Sequence, residues 1–115
     1  MRMKRIYFIA GEPSGDMLGA RLMVALKTKM EGNCEFLGVG GIEMENQGIE
    51  SIFPMSELTV MGLTEVVPRI PILLRRIRET ARHIVLSKPD MIVTIDAPDF
   101  TMRVLKKLKG MNSPV

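Results

Sequence analysis

Ile6-Tyr7-Phe8-Ile9-Ala10-Gly11-Glu12-Pro13-Ser14-Gly15-Asp16-Met17-Leu18-Gly19-Ala20 is the stretch whose reading decides the fold. Its apolar run, Ile6 to Ala10, is short and does not alternate, the pattern of a strand buried on both faces in a parallel sheet. A Gly/Pro/Ser turn follows, then a helical pattern. Pro13 is expected to stay outside the helix interior and Ser14 to cap its start. Leu18, Leu22 and Leu26 recur at helical spacing and predict the buried face. Gly11, Gly15 and Gly19 each remove a Cβ where backbone or ligand can come close.

The glycine spacing is neither the G-x-G-x-x-G of dinucleotide binding nor a P-loop, which needs Gly-Lys-Ser/Thr. A turn that only packs and a turn that binds both fit it. Three polar side chains, Glu12, Ser14 and Asp16, lie within five positions at the carboxyl edge of a first strand. Open α/β sheets take their ligands at that edge, which favours a site. A helix amino end there can hold an anion or a sugar hydroxyl.

Outward from this stretch, the chain continues as alternating strands and helices. The first helix is expected over Gly15 to Met30, a second strand over Glu35 to Val39, and a second turn at Gly40-Gly41. A short helix over Ile42 to Gln47 and a short third strand over Ile49 to Phe53 follow. Met55 to Gly62 has no clean period and reads as a loop with a short helix, serving as a packed cover or part of a pocket. Glu65 and Arg69 are four apart and can pair. The clearest helix runs from Ile72 to Leu86. Leu73, Ile77, Ala81 and Ile84 form its apolar face, and Arg75, Arg78 and Arg82 lie roughly opposite. That basic face is either simply solvated or a contact for anionic headgroups. Met91 to Ile95 reads as another buried parallel strand, and Asp99 to Lys109 as the last helix, with Asp99 as its cap. The fold class is α/β, a Rossmann-like parallel sheet of about four strands with flanking helices. Right-handed crossovers bring the Gly11–Asp16 turn, the Gly38–Gly41 turn and the Asp96–Asp99 loop to one edge.

The 115 residues suffice for one domain at most, and 46% hydrophobic with 25% charged residues is a globular composition. A net charge of +3 permits an anionic partner without requiring one. With no Trp and one Tyr, the stacking surface of a single-strand nucleic-acid binder is missing, so no nucleic-acid partner is expected. The 11 Met residues suit irregular or adaptable apolar surfaces. Cys34 is alone, which rules out an intrachain disulfide and a cysteine zinc site. His83, the single histidine, sits in a basic helix and reads as a surface or partly packed residue. No signal peptide and no run of about 20 apolar residues is visible, so a cytosolic chain is expected.

Asp96 stands just past a buried strand, followed by Ala97-Pro98-Asp99. A carboxylate at a partly desolvated edge suits acid/base work. Asp96 has no evident cap to make, whereas Asp99 does. A metal held by Asp96 and Asp99 is possible, although no further ligand cluster stands near them in sequence.

Ala10-Gly11-Glu12-Pro13-Ser14-Gly15-Asp16, with Leu18-Gly19-Ala20 after it, resembles the opening of the lipid-A-disaccharide synthase family. Gly38-Val39-Gly40-Gly41 with Met44 and Gly48, Phe53 to Gly62 through Glu65-Val66, and Thr94 to Phe100 match the same family in the same order. The resemblance covers nearly all of this chain but only the first part of the family's length. It implies the N-terminal, acceptor-side portion of a GT-B fold, a single partial domain over 1–115, with the C-terminal donor domain that holds most of the UDP-sugar absent. It implies an inverting transfer, with no metal or other cofactor, from UDP-2,3-diacylglucosamine to 2,3-diacylglucosamine 1-phosphate at the cytoplasmic face of an anionic inner membrane. Asp96 would be the base, and Gly11, Glu12, Ser14, Gly15, Asp16, Gly40, Met61 and Asp99 would bind or orient substrate. Arg75, Arg78 and Arg82 would meet the membrane. The 115 residues alone are expected to be inactive and prone to self-association through an uncovered sheet edge. A nucleotide-dependent oxidoreductase is disfavoured by the missing fingerprint, while a non-catalytic lipid- or protein-binding module is the alternative.

Overall fold

The computed structural model describes residues 3–63, 70–96 and 98–110, with side chains described over 3–59, 71–96 and 98–110. The order of elements is β1 (Lys4–Ala10), α1 (Pro13–Lys29), β2 (Cys34–Val39), α2 (Ile42–Glu45), α3 (Ser56–Leu63), α4 (Ile70–Ser87), β3 (Met91–Ile95) and α5 (Pro98–Gly110). The sheet runs β2-β1-β3, and both pairings are parallel. Tyr7 stands opposite Leu37 on one side and Ile92 on the other. The fold is therefore the Rossmann-like α/β arrangement expected. The run Ile6 to Ala10 is the central strand, with every residue buried.

Residues 49–53 form less of a strand than expected. Their pairing is one isolated bridge, Ser51 with Gly38, and the Ile52 N–H donates to the Gly38 carbonyl at 3.0 Å. The Ser51 hydroxyl does the remaining work there. It donates to the Phe53 carbonyl at 2.6 Å and accepts from the Gly40 N–H at 3.1 Å. β3 is present as predicted but is half-exposed rather than buried. It lies at the sheet edge, and no strand among the described residues pairs with its outer side.

α1 corrects two expectations. Pro13 is its first residue, a position where the missing N–H has no intrahelical partner to lose. Glu12 precedes it as an extended N-cap residue and no side chain caps the end, so Ser14 lies within the first turn. The fully buried face is Gly15, Asp16, Gly19, Ala20 and Met23; of the three expected leucines Leu26 is partly buried against the core, while Leu18 is 58% and Leu22 37% exposed. Small residues allow the helix to come down on the sheet. A Cβ on Gly19 would sit 2.8 Å from Met44 Sδ and 3.3 Å from Ile95 Cδ1. α5 similarly begins at Pro98, which leaves Asp99 in its first turn instead of at the cap. There the carboxylate still faces the favourable end of the helix dipole.

α4 follows its predicted pattern. Ile77, Ala81 and Ile84 are buried, Leu73 is half-buried, and Arg75, Arg78 and Arg82 are exposed. It also carries the one histidine inward. His83 Nδ1 lies 2.9 Å from the hydroxyl of Tyr7, which is fully buried in the central strand. Burial pushes the phenol well above its usual range, and the charge of Glu79 adds to this. A phenol held protonated can donate to a neutral imidazole. Burial likewise holds His83 below its ordinary value of 6.5, with Glu79 acting in the opposite, smaller sense. The Glu65–Arg69 pair falls outside the described residues.

The His83 shift gives a signed pH dependence. Because the folded imidazole binds its proton more weakly than the unfolded one, the contribution is complete above about pH 6.5 and lost as pH falls through the depressed folded value. Chemical denaturation at pH 7 and pH 5 should show a larger loss of stability for the unsubstituted protein than for His83→Gln. Equal losses would remove His83 from the account.

Candidate active site at the carboxyl edge of the sheet

Three segments meet where the parallel strands end. The first is the β1–α1 turn. The Gly11 carbonyl accepts a hydrogen bond from Thr59 Oγ1 at 2.7 Å, which ties α3 to the end of the central strand. Glu12 and Ser14 are exposed, so their side chains are free to meet a ligand. Gly15 and Asp16 are buried.

Asp16 joins the first segment to the second. Its carboxylate, only 4% exposed, accepts backbone N–H bonds from Gly41 at 3.0 Å, Glu43 at 3.0 Å and Met44 at 2.9 Å. These are the orphan donors at the start of α2, so the residue that caps α2 lies 25 positions or more upstream of it. Expected as a substrate contact, Asp16 has both oxygens committed within the chain. Gly40 and Gly41 fit the same construction. A Cβ on Gly41 would stand 2.5 Å from Asp16 Oδ2, and one on Gly40 would stand 2.8 Å from Met44 Sδ. The space these two glycines leave is thus filled by the protein's own Asp16 and Met44.

The third segment is the end of β3. Asp96 is exposed and holds a left-handed backbone, φ 60°, which Asp adopts more readily than most residues. Its exposure does not match the desolvated edge expected of it. Its carboxylate lies over the start of α1, where a Cβ on Gly15 would be 2.5 Å from Oδ2. Asp99 is exposed in the first turn of α5. The side chain of Met61 lies outside the described residues. Among the described residues no group of three or more His, Cys, Asp and Glu is placed to hold a metal ion.

Sequence reading missed the brace behind this edge. Arg76 Nε and Nη2 donate to the two Glu57 oxygens, each at 2.8 Å, and Nη1 reaches Glu79 at 3.2 Å. The Glu57 hydrogen bonds hold the guanidinium proton more firmly than usual. Arg76 also lies 4.9 Å from the centre of the Phe53 ring, and Phe53 meets Phe100 edge to face. One side chain thereby links α3, α4 and the packing under α5. Glu57 and Arg76 are 19 residues apart, so no local spacing announces the pair.

A parallel α/β sheet with acidic turns collected at its carboxyl edge is a Rossmann-like unit, of the kind that opens GT-B glycosyltransferases. Residues 6–114 match the family Lipid-A-disaccharide synthetase, a glycosyltransferase family, and the chain belongs to it. It is similar to the Lipid-A-disaccharide synthase of Rhodospirillum centenum, 51% identical over 109 residues, 95% of this chain and 27% of that protein. The protein of the same name from Paramagnetospirillum magneticum is 52% identical over 110 residues, 96% of this chain and 28% of its own length. That from Pseudomonas aeruginosa is 50% identical over 105 residues, 91% and 28% respectively. The chain thus spans roughly a quarter of the length of these curated relatives.

The three bonds to Asp16 predict its mutational response. Asp16→Asn keeps one acceptor but sets an amide N–H₂ against a backbone donor, a cost of about 1–3 kcal/mol. Asp16→Ala strands all three donors and should cost more. Urea denaturation measures both, and an Asp16→Ala protein as stable as the unsubstituted one would show that the cap is dispensable.

Proposed function

We propose that this chain supplies the acceptor-side, catalytic-base portion of an enzyme that joins UDP-2,3-diacylglucosamine to 2,3-diacylglucosamine 1-phosphate. The observation that carries the reading is the exposed Asp96 carboxylate at the carboxyl edge of the sheet, within a chain of this family. In the reaction the acceptor hydroxyl attacks the anomeric carbon from the face opposite UDP. The new glycosidic C–O bond forms as the bond to UDP breaks, and Asp96 takes the hydroxyl proton. Glu12, Ser14 and Asp99, exposed at the same edge, bind or orient the sugar and phosphate groups. Gly11, Gly15, Asp16 and Gly40 shape the edge from beneath, and the segment holding Met55 and Met61 covers the acyl chains. The UDP-sugar is held largely by a second, C-terminal domain.

The enzyme works on the cytoplasmic face of the inner membrane. No helix among the described residues is long and apolar enough to cross a bilayer. Exposed Arg75, Arg78 and Arg82 on α4, with exposed Ile72 and Leu74 on the same helix, support contact with anionic headgroups. Each basic residue near such a surface contributes about 1 kcal/mol, enough to matter when three act together.

Two measurements test these assignments. In a full-length lipid-A-disaccharide synthase carrying this segment, Asp96→Asn should lower turnover by about two to four orders of magnitude with the fold intact, the usual weight of general-base catalysis. Asn also tolerates the left-handed backbone, so the change isolates the proton acceptor. Asp99→Asn should cost much less. An active Asp96→Asn enzyme would place the base elsewhere. For the membrane, replacing Arg75, Arg78 and Arg82 by Gln should weaken binding to phosphatidylglycerol vesicles, and added salt should weaken the unsubstituted protein. Identical binding of the two forms across a salt series would return α4 to a merely solvated face.

A further inference from the structure

We infer that Gly15 is a positioning residue for Asp96: its missing side chain is the space in which the Asp96 carboxylate rests over the first turn of α1. The inference rests on the proposed role of Asp96 as base and adds how that base is aimed. α1 approaches the end of β3 through two glycines one helical turn apart. At Gly19 a Cβ would meet Met44 Sδ at 2.8 Å and Ile95 Cδ1 at 3.3 Å, both hydrophobic packing. At Gly15 it would meet Asp96 Oδ2 at 2.5 Å, Ile95 Cγ2 at 3.1 Å and Asp96 Cγ at 3.4 Å. The first neighbour at Gly15 is therefore the reactive group itself.

The two atoms of Asp96 facing Gly15 belong to the end of an exposed side chain, which can swing away into solvent. A methyl group at position 15 would therefore be accommodated by moving the carboxylate and by a small shift of Ile95 Cγ2, 3.1 Å away, with the fold left standing. The left-handed backbone of Asp96 fixes the direction from which its side chain departs. The empty position at Gly15 then decides where its end comes to rest. A displacement of the base by about 1 Å can cost about 10²-fold in rate.

The test uses the same full-length enzyme, with both lipid substrates. Gly15→Ala should lower kcat by about 10²-fold while KM for each substrate changes by less than about threefold. Added to Asp96→Asn, it should give no further loss, because the group it displaces is already inactive. Gly19→Ala, which disturbs Met44 instead, should lower thermal stability and leave kcat near that of the unsubstituted enzyme. One measurement needs no change at position 15: Asp96→Asn, which alters the group resting over it, should shift the Gly15 Hα resonances. Absence of that shift, an unchanged kcat in Gly15→Ala, or losses that multiply in the double variant would each overturn the inference. If Asp96→Asn is inactive while Gly15→Ala is not, the positioning role alone fails. If Asp96→Asn is itself active, the proposed function fails and takes the positioning role with it.

Discussion

A buried carboxylate receiving three backbone N–H bonds is the constraint on which the carboxyl edge of the sheet depends. Asp16 leaves α1 and ends in the turn after β2, where it binds Gly41, Glu43 and Met44. A charge so removed from water persists only when its oxygens are satisfied, and here the free donors at the start of α2 do so. The bond set fixes the distance between the first and second β–α turns. It also explains two glycines: Gly41 lacks the Cβ that would strike the carboxylate, and Gly40 lacks the one that would strike Met44.

Close approach of α1 to the sheet is the second consequence. Gly15, Gly19 and Ala20 put little between helix and strand, and Met23 fills the space further along. Leu18 and Leu22 consequently turn outward, while Leu26 keeps partial contact with the core. Burial here follows fit to a flat sheet surface before it follows hydrophobicity, since a Leu at position 19 would collide with Met44 and Ile95. At the far side of the sheet, α4 packs by the ordinary apolar-face rule, and its outward arginines remain available to solvent or to a charged surface.

The edge thus divides into a framework and an exposed layer. Asp16, Gly40, Gly41 and the Thr59 bond to Gly11 belong to the framework, with Arg76 bracing α3 against α4 behind it. Glu12, Ser14, Asp96 and Asp99 form the exposed layer, where the side chains can reach a ligand. Such a division suits a ligand site, because rigid backbone supports a few accessible groups.

By itself the sequence determined the alternation of strands and helices, the central strand Ile6 to Ala10, the buried face of α4, and the convergence of three turns at one edge. Each follows from a local signal: an apolar run, a 3.6-residue period, glycine and proline punctuation, or the handedness of parallel crossovers. The motifs from Gly11 to Asp16 and from Thr94 to Phe100 also carried the family. What only the tertiary structure decided are the choices between partners far apart in the chain. Asp16 and Asp96 are both acidic residues next to strand ends. Yet one caps a helix 25 or more residues away and the other stays exposed over Gly15. Leu18 turned outward, against its expected place, because the closeness of a sheet is not written in the helix period. Residues 49–53 fell short of a full strand because the Ser51 hydroxyl took hydrogen bonds that a ladder would otherwise make. In the first two cases the deciding energy lies in a contact between separate elements, and in the third partly so, which local spacing does not encode.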